Sequence, residues 1–226
     1  MSNVSANFLA QGFAVVSTVI DGNSVATISS HLDARPAEGA GSRGLLREGW
    51  CQTLAAKLRS VLTGRQLLPD GAVAVQCTLF DKGPTRNWLV ALHQDRSIPV
   101  RGKVEAPELS GWSEKEGDTF VQPPVAVLEQ LTAVRLHIDD CPAESGALRV
   151  VPGSHANGVL SQVQAEALRA RRGEVLVPAF EADVLLMKPL ILHASSKASS
   201  VTCRRVLHFV YGPKVLPFGL HWQHAI

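Results

Sequence analysis

The chain lacks the features of a membrane or secreted protein. No apolar run approaches the roughly eighteen residues that a membrane-spanning helix needs. The first apolar stretch, at residues 8–19, is interrupted by Gln11, Gly12 and Ser17, and no basic segment precedes it, so it does not resemble a secretory signal. The four cysteines form no Cys-x-x-Cys pair, which disfavours a zinc or redox motif. We therefore expect a cytoplasmic protein with reduced thiols.

The chain also has no strong excess of charge of either sign. It carries 22 Lys and Arg against 20 Asp and Glu, a net charge of +2. Its most basic cluster, at residues 169–172, is short and contains no aromatic side chain. We therefore expect neither nucleic acid nor a membrane as a partner, and expect a small-molecule substrate instead. A monomer and a homodimer are both compatible with this charge pattern.

The length and composition predict one domain with a sizeable core. The 226 residues are 46% hydrophobic and 19% charged, which favours a single domain over residues 1–226. From residue 72 onward, short β-branched or apolar runs alternate with turn residues, a pattern typical of β structure. Apolar residues at helical spacing predict helices at 22–32 and 50–62, and a capping box predicts another at 162–169. The expected class is mainly β with flanking helices.

The most informative residues are two histidines and an aspartate. His93 and Asp95 form a His-x-Asp pair, and His193 follows one hundred residues after His93. Side chains two residues apart on a strand share a face, so His93 and Asp95 can bind one metal ion together. With His193 they would form the two-histidine, one-carboxylate set of non-haem Fe(II) oxygenases, which leaves coordination positions open. The sequence therefore predicts a metal site at these three residues.

The chain contains two competing His-x-Asp pairs, at residues 31–33 and 137–139. The first falls on the predicted helix 22–32, where residues two apart point in different directions. The second falls on a predicted strand and is a genuine competitor, because its two side chains share a face. Context must therefore decide between the pairs.

Two observations favour the pair at His93. Residues 87–95 form a longer extended run, which puts Asn87, His93 and Asp95 on one polar face. A jelly roll that takes its metal ligands from opposite ends of the core also needs several strands between them. Four strands are predicted between Asp95 and His193, and only three of them follow the competing pair. These strands are at 132–138, 147–151, 174–177 and 184–187.

Residues 96–122 form the longest stretch without periodicity, and prolines and glycines interrupt it. Irregular segments of this length in a compact domain are usually functional lids or disordered loops. Because the segment leaves directly from Asp95, we predict an active-site lid loop, with Trp112 and Phe120 as apolar wall residues. The alternative is a mobile surface excursion.

The ordered motifs of the chain resemble those of the phytanoyl-CoA dioxygenase family, over about residues 78–211. The resemblance implies a double-stranded β-helix, which is a cupin-like jelly roll. It also implies the use of Fe(II), 2-oxoglutarate and O₂ with release of succinate and CO₂, but it does not imply phytanoyl-CoA as the substrate. The motifs are Asn87-Trp88, His93-Gln94-Asp95, Gly146-Ala147-Leu148, Pro152-Gly153-Ser154-His155, His193-Ala194-Ser195 and Arg204.

The resemblance assigns Arg204 to the distal carboxylate of 2-oxoglutarate. The planar fork of a guanidinium suits that role, since it makes two parallel hydrogen bonds. Arg205 points to the opposite face of the same strand and is expected to be structural. Ser195 could add a hydroxyl to the same carboxylate or stabilise a turn. Asn87 could donate to the proximal carboxylate of the co-substrate or form an Asx turn at the strand entry.

Arg135 and His137 depart from the family pattern, which has apolar or small residues there. They share a face of the strand expected beside the site, and Arg96 is expected at its mouth. We predict that these three residues bind substrate, which favours a small anionic molecule. The alternative is that they form surface ion pairs with glutamates of the segment 96–122.

The expected activity is hydroxylation of that molecule by an Fe(II)- and 2-oxoglutarate-dependent dioxygenase. A halogenase is disfavoured because Asp95 takes the coordination position that chloride would need. The alternatives are a cupin-like metal-dependent isomerase and a non-catalytic barrel that binds small molecules. Neither alternative requires Arg204 on the face of the metal ligands.

Overall fold

The computed structural model describes residues 3–35, 41–83, 85–199 and 203–226. Among these residues, no helix has both the length and the apolarity needed to cross a bilayer. The helices are α1 (Asn3–Gln11), α2 (Gly22–Asp33), α3 (Gly49–Gly64), α4 (Val125–Leu128) and α5 (Gln162–Arg172). The strands are β1 (Phe13–Val16), β2 (Gly41–Ser42), β3 (Val73–Lys82), β4 (Val90–His93), β5 (Ile98–Val100), β6 (Ser110–Lys115), β7 (Asp118–Gln122), β8 (Thr132–His137), β9 (Leu148–Val150), β10 (Val175–Val177), β11 (Val184–Met187), β12 (His193–Ser195) and β13 (Arg204–Gly212).

Two antiparallel sheets form the barrel. The larger sheet has the order β1-β11-β8-β13-β3-β2 and the smaller one the order β10-β9-β12-β4. The chain passes repeatedly between them, since β8, β11 and β13 lie in the larger sheet and β9, β10 and β12 in the smaller. This is the predicted double-stranded β-helix with flanking helices, and the four strands predicted between Asp95 and His193 are confirmed as β8 to β11.

The larger sheet has an apolar outer face and a partly polar inner face. On β13, Leu207, Phe209 and Tyr211 point outward into a core that includes the buried face of α3. The Tyr211 hydroxyl donates to the Ala55 carbonyl at 2.8 Å, which satisfies its polar atom in that core. His208, which lies between Leu207 and Phe209 on this strand, points the other way and lines a cavity between the two sheets. The two-residue period of the strand thus separates packing residues from site residues.

Local sequence signals account for the helices. In α2, Asp21 caps the N-terminus by accepting from the Ser24 amide, and the buried side chains recur at three- to four-residue spacing. In α5, Ser161 and Gln164 form the predicted capping box. The three predicted helices are confirmed, within a few residues at their ends. The short helix α1 at the N-terminus has no equivalent among the predictions.

The segment 96–122 is not irregular, which corrects the prediction. It contains a three-stranded antiparallel sheet in the order β5-β7-β6. Ile98, Val100 and Val121 are buried in a core with α4 and Trp222, whereas β6 is an edge strand with mostly exposed side chains. The pattern was hidden because β5 is only three residues long and contains a proline, and β6 is polar apart from Trp112. A lid function for this segment stays a prediction.

Candidate functional site

The three predicted metal ligands converge at one point between the sheets. His93 on β4 and His193 on β12 are direct partners in the antiparallel register, so their side chains lie side by side. Their ring centroids are 4.1 Å apart. One nitrogen of each imidazole and one oxygen of Asp95 all lie within 4.8 Å of one another. Among the described residues, this is the one group of three or more His, Cys, Asp or Glu with such spacing.

Asp95 reaches this point by a different route from the one predicted. Strand β4 ends at His93, so the pleat of a strand does not position Asp95. The buried side-chain amide of Gln94 donates to the carbonyls of Gly158 and Leu190 at 2.8 and 2.7 Å and holds the chain there. The Asp95 amide donates to the Pro189 carbonyl at 2.9 Å. This anchored turn brings the carboxylate 3.6 Å from His93 Nε2 and 3.8 Å from His193 Nε2.

Both imidazoles have the tautomer that metal binding requires. His93 Nδ1 lies 2.8 Å from the Ala91 carbonyl, and His193 Nδ1 lies 3.0 Å from the Ile191 carbonyl. A carbonyl oxygen only accepts, so each Nδ1 carries the hydrogen and each neutral ring keeps its lone pair on Nε2. Both Nε2 atoms face Asp95. Backbone carbonyls that fix a histidine in this way are the usual outer partners of metal ligands.

The electrostatics of the three groups match a cation site. Burial lowers the pKa of His193 to about 4, although the charge of Asp95 partly opposes the shift. Burial also lowers the pKa of His93, but its hydrogen bond to Asp95 and the charge of Asp95 together raise it above the ordinary value. Burial opposes ionisation of Asp95, yet the three surrounding imidazoles hold its pKa well below the usual range. The site therefore offers an ionised carboxylate and two nitrogen donors.

The competing His-x-Asp pair does not form a site. Strand β8 ends at His137, and Asp139 lies on the outer side, where it accepts hydrogen bonds from the backbone amide and side chain of Arg205. His137 points inward and is buried. The pair at residues 31–33 lies on α2, as predicted, where the His31 ring stacks on Trp50. The choice of His93 and Asp95 thus agrees with the geometry.

The metal-ligand group lies in a cavity of about 350 Å³ between the sheets. Asp95 is the one carboxylate among its described lining residues, whereas five cationic side chains line it. Arg96 and Arg43 lie exposed at the mouth, and Lys115 and Phe120 come from the three-stranded sheet. Trp112 does not line the cavity. The five cationic residues are Arg43, Arg96, Lys115, Arg135 and Arg204.

Arg204 lies at one end of this cavity and is only 3% exposed. Its Nη1 donates to the Gly146 carbonyl at 2.5 Å, and its Nε has no hydrogen-bond partner. No carboxylate among the described residues pairs with it. A buried guanidinium without a counter-ion is costly, and an anion bound at this end of the cavity would offset that cost.

Ser195 and Asn87, the other predicted co-substrate residues, differ in their placement. Ser195 lines the cavity next to Arg204, and its hydroxyl lies 2.9 Å from the Gly146 carbonyl. Asn87 is exposed and does not line the cavity. Its amide forms two hydrogen bonds with the backbone of Ala198, at 2.7 and 2.8 Å. Asn87 therefore tethers the segment after β12, and it lies outside the lining of the cavity in which the co-substrate is expected.

Arg135 is buried inside the cavity and belongs to a row of hydrogen-bond donors. Arg135 on β8, His208 on β13 and Thr78 on β3 are direct neighbours across the sheet. Arg135 Nη1 lies 3.0 Å from His208 Nδ1. A guanidinium only donates, so His208 accepts at Nδ1 and carries its hydrogen on Nε2, which lies 3.9 Å from Asp95 Oδ2. The Thr78 hydroxyl accepts from the side-chain amide of Gln76 at 3.1 Å, so its own hydrogen is available for another acceptor.

His208 and Thr78 line the cavity, and Lys82 lies next to it, where it donates to the Ser195 hydroxyl at 2.8 Å. His137 is buried and does not line the cavity, and neither of its ring nitrogens has a hydrogen-bond partner. Burial and the nearby Arg135 lower its pKa to about 3. The alternation along β3 and β13 could have revealed the added residues, since Thr78 shares a face with Lys82 and His208 shares a face with Arg204.

Comparison with known sequences gives the family. A sequence profile of the phytanoyl-CoA dioxygenase family (PhyH) matches residues 8–206. The chain belongs to this family. A search of curated proteins finds no significant match.

Several solved structures share the fold of this family member. The epimerase SnoN in complex with Fe³⁺, alpha ketoglutarate and nogalamycin RO is 16% identical, with a TM-score of 0.69 over 96% of this chain and 86% of that chain. HygX from Streptomyces hygroscopicus, with nickel, 2-oxoglutarate and hygromycin B bound, is 19% identical, with a TM-score of 0.65 over 96% and 89%. The carbocyclase SnoK from nogalamycin biosynthesis is 15% identical, with a TM-score of 0.65 over 94% and 84%. At these identities the similarity establishes a common fold.

Proposed function

We propose that this chain is an Fe(II)- and 2-oxoglutarate-dependent oxygenase that hydroxylates a small anionic molecule. The observation that carries the proposal is the content of one cavity. It holds His93, Asp95 and His193 with their donor atoms converging, and a buried Arg204 without a carboxylate partner among the described residues. Family membership and the metal and 2-oxo acid bound in the related folds of HygX and SnoN support it.

The donor set fits a ferrous ion. Two neutral imidazoles and one carboxylate are the two-histidine, one-carboxylate set typical of non-haem Fe(II) oxygenases, and both Nε2 atoms already carry lone pairs directed at the third donor. When bound, Fe(II) would activate O₂ with 2-oxoglutarate and so supply the oxidant that hydroxylates a C–H bond, with release of succinate and CO₂. Asp95 occupies the position that a halogenase leaves to chloride, which favours hydroxylation.

Arg204 and Ser195 hold the co-substrate in this proposal. Both donate to the same carbonyl, Gly146, at 2.5 and 2.9 Å, so their donors converge on one point. The unpaired Arg204 Nε can donate to one oxygen of a distal carboxylate, and the Ser195 hydroxyl can donate to the other once it turns away from the Gly146 carbonyl. Burial of Arg204 makes that ion pair stronger than an exposed one, because water competes less.

The row of Arg135, His208 and Thr78 holds the acid group of the substrate. Each of the three can donate into the cavity, and neither Arg135 nor His208 has a carboxylate in hydrogen-bond range among the described residues. Burial and the charge of Arg204 lower the pKa of Arg135 to about 10, so it stays cationic at neutral pH. Exposed Arg96 at the mouth attracts the same anion at longer range. His208 and Thr78 replace His137 in this role.

The variant Arg135→Leu tests the proposal. A mass-spectrometric screen of small acids and amino acids first identifies a substrate by a product heavier by about 16 mass units, one oxygen atom. We expect Arg135→Leu to retain most substrate-independent conversion of 2-oxoglutarate to succinate but to lose oxidation of that substrate, because different residues bind the two acids. Arg43→Leu, at the exposed mouth, is the matched control and should change both rates little, because Glu116 already pairs with the Arg43 guanidinium at 3.0 Å.

Two results would refute the anionic-substrate proposal. One is equal impairment of 2-oxoglutarate conversion and substrate oxidation in Arg135→Leu, and the other is a preferred substrate without an acidic group. The same screen distinguishes hydroxylation from epimerisation, the activity named for SnoN, because an epimer has an unchanged mass. A cupin-like isomerase or a non-catalytic barrel would show no visible charge-transfer band on anaerobic titration with Fe(II) and 2-oxoglutarate.

A further inference from the structure

Lys115 lines the cavity from the hairpin of β6 and β7, and no described carboxylate pairs with it. It is half-buried, and its ammonium lies 4.7 Å from the centre of the Phe120 ring, which also lines the cavity. The two acids that follow it in the sequence, Glu116 and Asp118, pair instead with arginines of the segment 43–47. The Lys115 charge is therefore available to a ligand in the cavity.

Arg135 has matching surroundings on a different wall of the cavity. It comes from β8 of the larger sheet, and its guanidinium carbon lies 5.2 Å from the centre of the Phe80 ring. The face of an aromatic ring attracts a cation but does not neutralise its charge. Burial lowers the pKa of both Arg135 and Lys115, and the charge of Asp95 partly opposes the shift in each. Both cations therefore lie within electrostatic reach of the metal ligands.

The charges at the metal centre balance when the ligands of the proposed function are bound. Fe(II) and the Arg204 guanidinium carry three positive charges together, and the Asp95 carboxylate and 2-oxoglutarate carry three negative charges. At the mouth, Glu116 matches the charge of Arg43. None of these groups needs a further counter-charge from the substrate.

Three cations of the cavity lining remain unmatched, namely Arg96, Lys115 and Arg135. Arg96 is exposed at the mouth, where water solvates its charge. Lys115 is half-buried and Arg135 is 6% exposed, so both lose solvation without gaining a described counter-charge. A substrate with one acidic group would match one of these two cations, whereas a substrate with two separate acidic groups would match both.

We propose that the substrate is a small dicarboxylic acid, with one carboxylate bound by Arg135 and the other by Lys115. The inference rests on the proposed function and narrows its substrate from an anion to a diacid. One charge per cation favours carboxylates over phosphates, since each phosphate carries nearly two charges. Because the two cations come from separate sheets, the carbon atoms between the carboxylates pass the metal ligands, where a C–H bond can react.

The test compares straight-chain acids that differ in one carboxylate. Butanoate and succinate, pentanoate and glutarate, and hexanoate and adipate are titrated anaerobically, by calorimetry, into the protein with Fe(II) and saturating 2-oxoglutarate. The 2-oxoglutarate keeps these acids out of the co-substrate end. We expect one dicarboxylate or more to bind about tenfold more tightly than its partner, the lower end of the range for a hydrogen bond to a charged group. Propyl phosphate, with both charges on one group, should not show this gain.

Variants of Lys115 identify the group that binds the second carboxylate. Lys115→Met keeps the contact with Phe120 and removes the charge. It should reduce the preference for the dicarboxylate to below about threefold and leave binding of the monocarboxylate unchanged. Lys115→Arg should restore most of the preference. Lys103→Met is the matched control, because Lys103 is exposed in the same segment and does not line the cavity.

Three results would overturn the inference. If no dicarboxylate binds more tightly than its partner, or if propyl phosphate binds as tightly as the best dicarboxylate, the cavity does not select two separate acidic groups. A preference that Lys115→Met leaves intact would overturn the role of Lys115. Failure of the unaltered protein to bind 2-oxoglutarate would instead overturn the proposed function. If Lys115→Met does not fold, Lys115→Gln serves in its place with the same expected result.

Discussion

The two faces of β13 carry adjacent arginines in opposite surroundings. Arg205, on the outer face, makes two hydrogen bonds from Nε and Nη2 to the Asp139 carboxylate and a third from Nη1 to Asp33. These contacts raise its pKa. Arg204, on the inner face, is more deeply buried, yet its hydrogen-bond partners among the described residues are a carbonyl and a thiol.

The difference shows how structure separates a structural cation from a binding one. An arginine whose acids come from its own chain stabilises the fold and needs no ligand. A buried arginine without an acid among the described residues is costly to keep in the folded state, and an anionic ligand offsets that cost. The family resemblance predicts the same division between these two residues, and the binding role of Arg204 stays a prediction.

The largest expected effect is the loss of turnover when a metal-binding histidine is removed, and the matched outer-face variant removes Asp139, the acid that pairs with Arg205. We expect His193→Ala, and equally His93→Ala, to abolish turnover and to weaken Fe(II) binding strongly, because each removes one of three metal donors. Asp139→Ala should keep Fe(II) binding and lose stability, since it leaves Arg205 without its main partner. Isothermal titration and thermal unfolding measure both. Full activity of His193→Ala would refute the metal site.

The second effect separates the two arginines directly. We expect Arg204→Ala to weaken the binding of 2-oxoglutarate by about 2–5 kcal/mol, the usual cost of truncating one side of a buried charge pair. Arg205→Ala should leave the KM for 2-oxoglutarate nearly unchanged and lower the free energy of unfolding by about 1 kcal/mol or more. Steady-state kinetics and denaturant unfolding of the same two variants test this. Equal effects on KM would mean that the faces do not divide the roles.

The smallest effect is a pH dependence on the inner face. Burial, with the charge of Arg204, lowers the pKa of Lys82 to about 8. Lys82 is therefore charged below that pH and loses its proton above it. Because this removes a positive charge near Arg204, 2-oxoglutarate should bind less tightly as pH rises from 8 to 9. The expected change in dissociation constant is at most about tenfold per pH unit. It is measured by anaerobic titration at several pH values.

Two variants identify the titrating group. The groups that act on Lys82 are Arg204, Arg135 and the Cys141 thiol. Lys82→Arg should remove the dependence, because an arginine stays charged in this range. Cys141→Ala should keep it. If instead Cys141→Ala removes the dependence, Lys82 is not the titrating group.

The sequence was sufficient for the elements that have strong periodicity. The helices α2, α3 and α5 and the strands β8 to β11 follow from patterns of apolar residues and from caps, which are local. The set His93, Asp95 and His193 followed from residue type and spacing. The strand predicted at 87–95 was too long, because the Gln94 side chain binds backbone carbonyls that come from distant segments. Such contacts have no local signature.

Other residues of the site could not be assigned because their roles depend on neighbouring strands. His208 gains its role from Arg135, which lies beside it only in the folded sheet. Lys82 lies beside the cavity because its ammonium donates to Ser195, which is 113 positions away in the sequence. The three-stranded sheet β5-β7-β6 was missed because its edge strand β6 is almost entirely polar and its other edge strand, β5, is only three residues long. In each case the missing information was pairing between strands, which a single sequence does not state.

The buried cations in and beside the cavity set a limit on how this protein can be made more resistant to heat. Replacing a buried ionic group by an apolar side chain of similar size is often neutral or stabilising. Lys82, Arg135 and Arg204 are all at most 6% exposed, so leucine or methionine at these positions should raise the melting temperature of the empty barrel. Directed evolution for thermal stability alone would therefore select against the residues that give the cavity its chemistry. A screen for heat-resistant variants must therefore also measure binding of a 2-oxo acid, so that only variants that still bind one are selected.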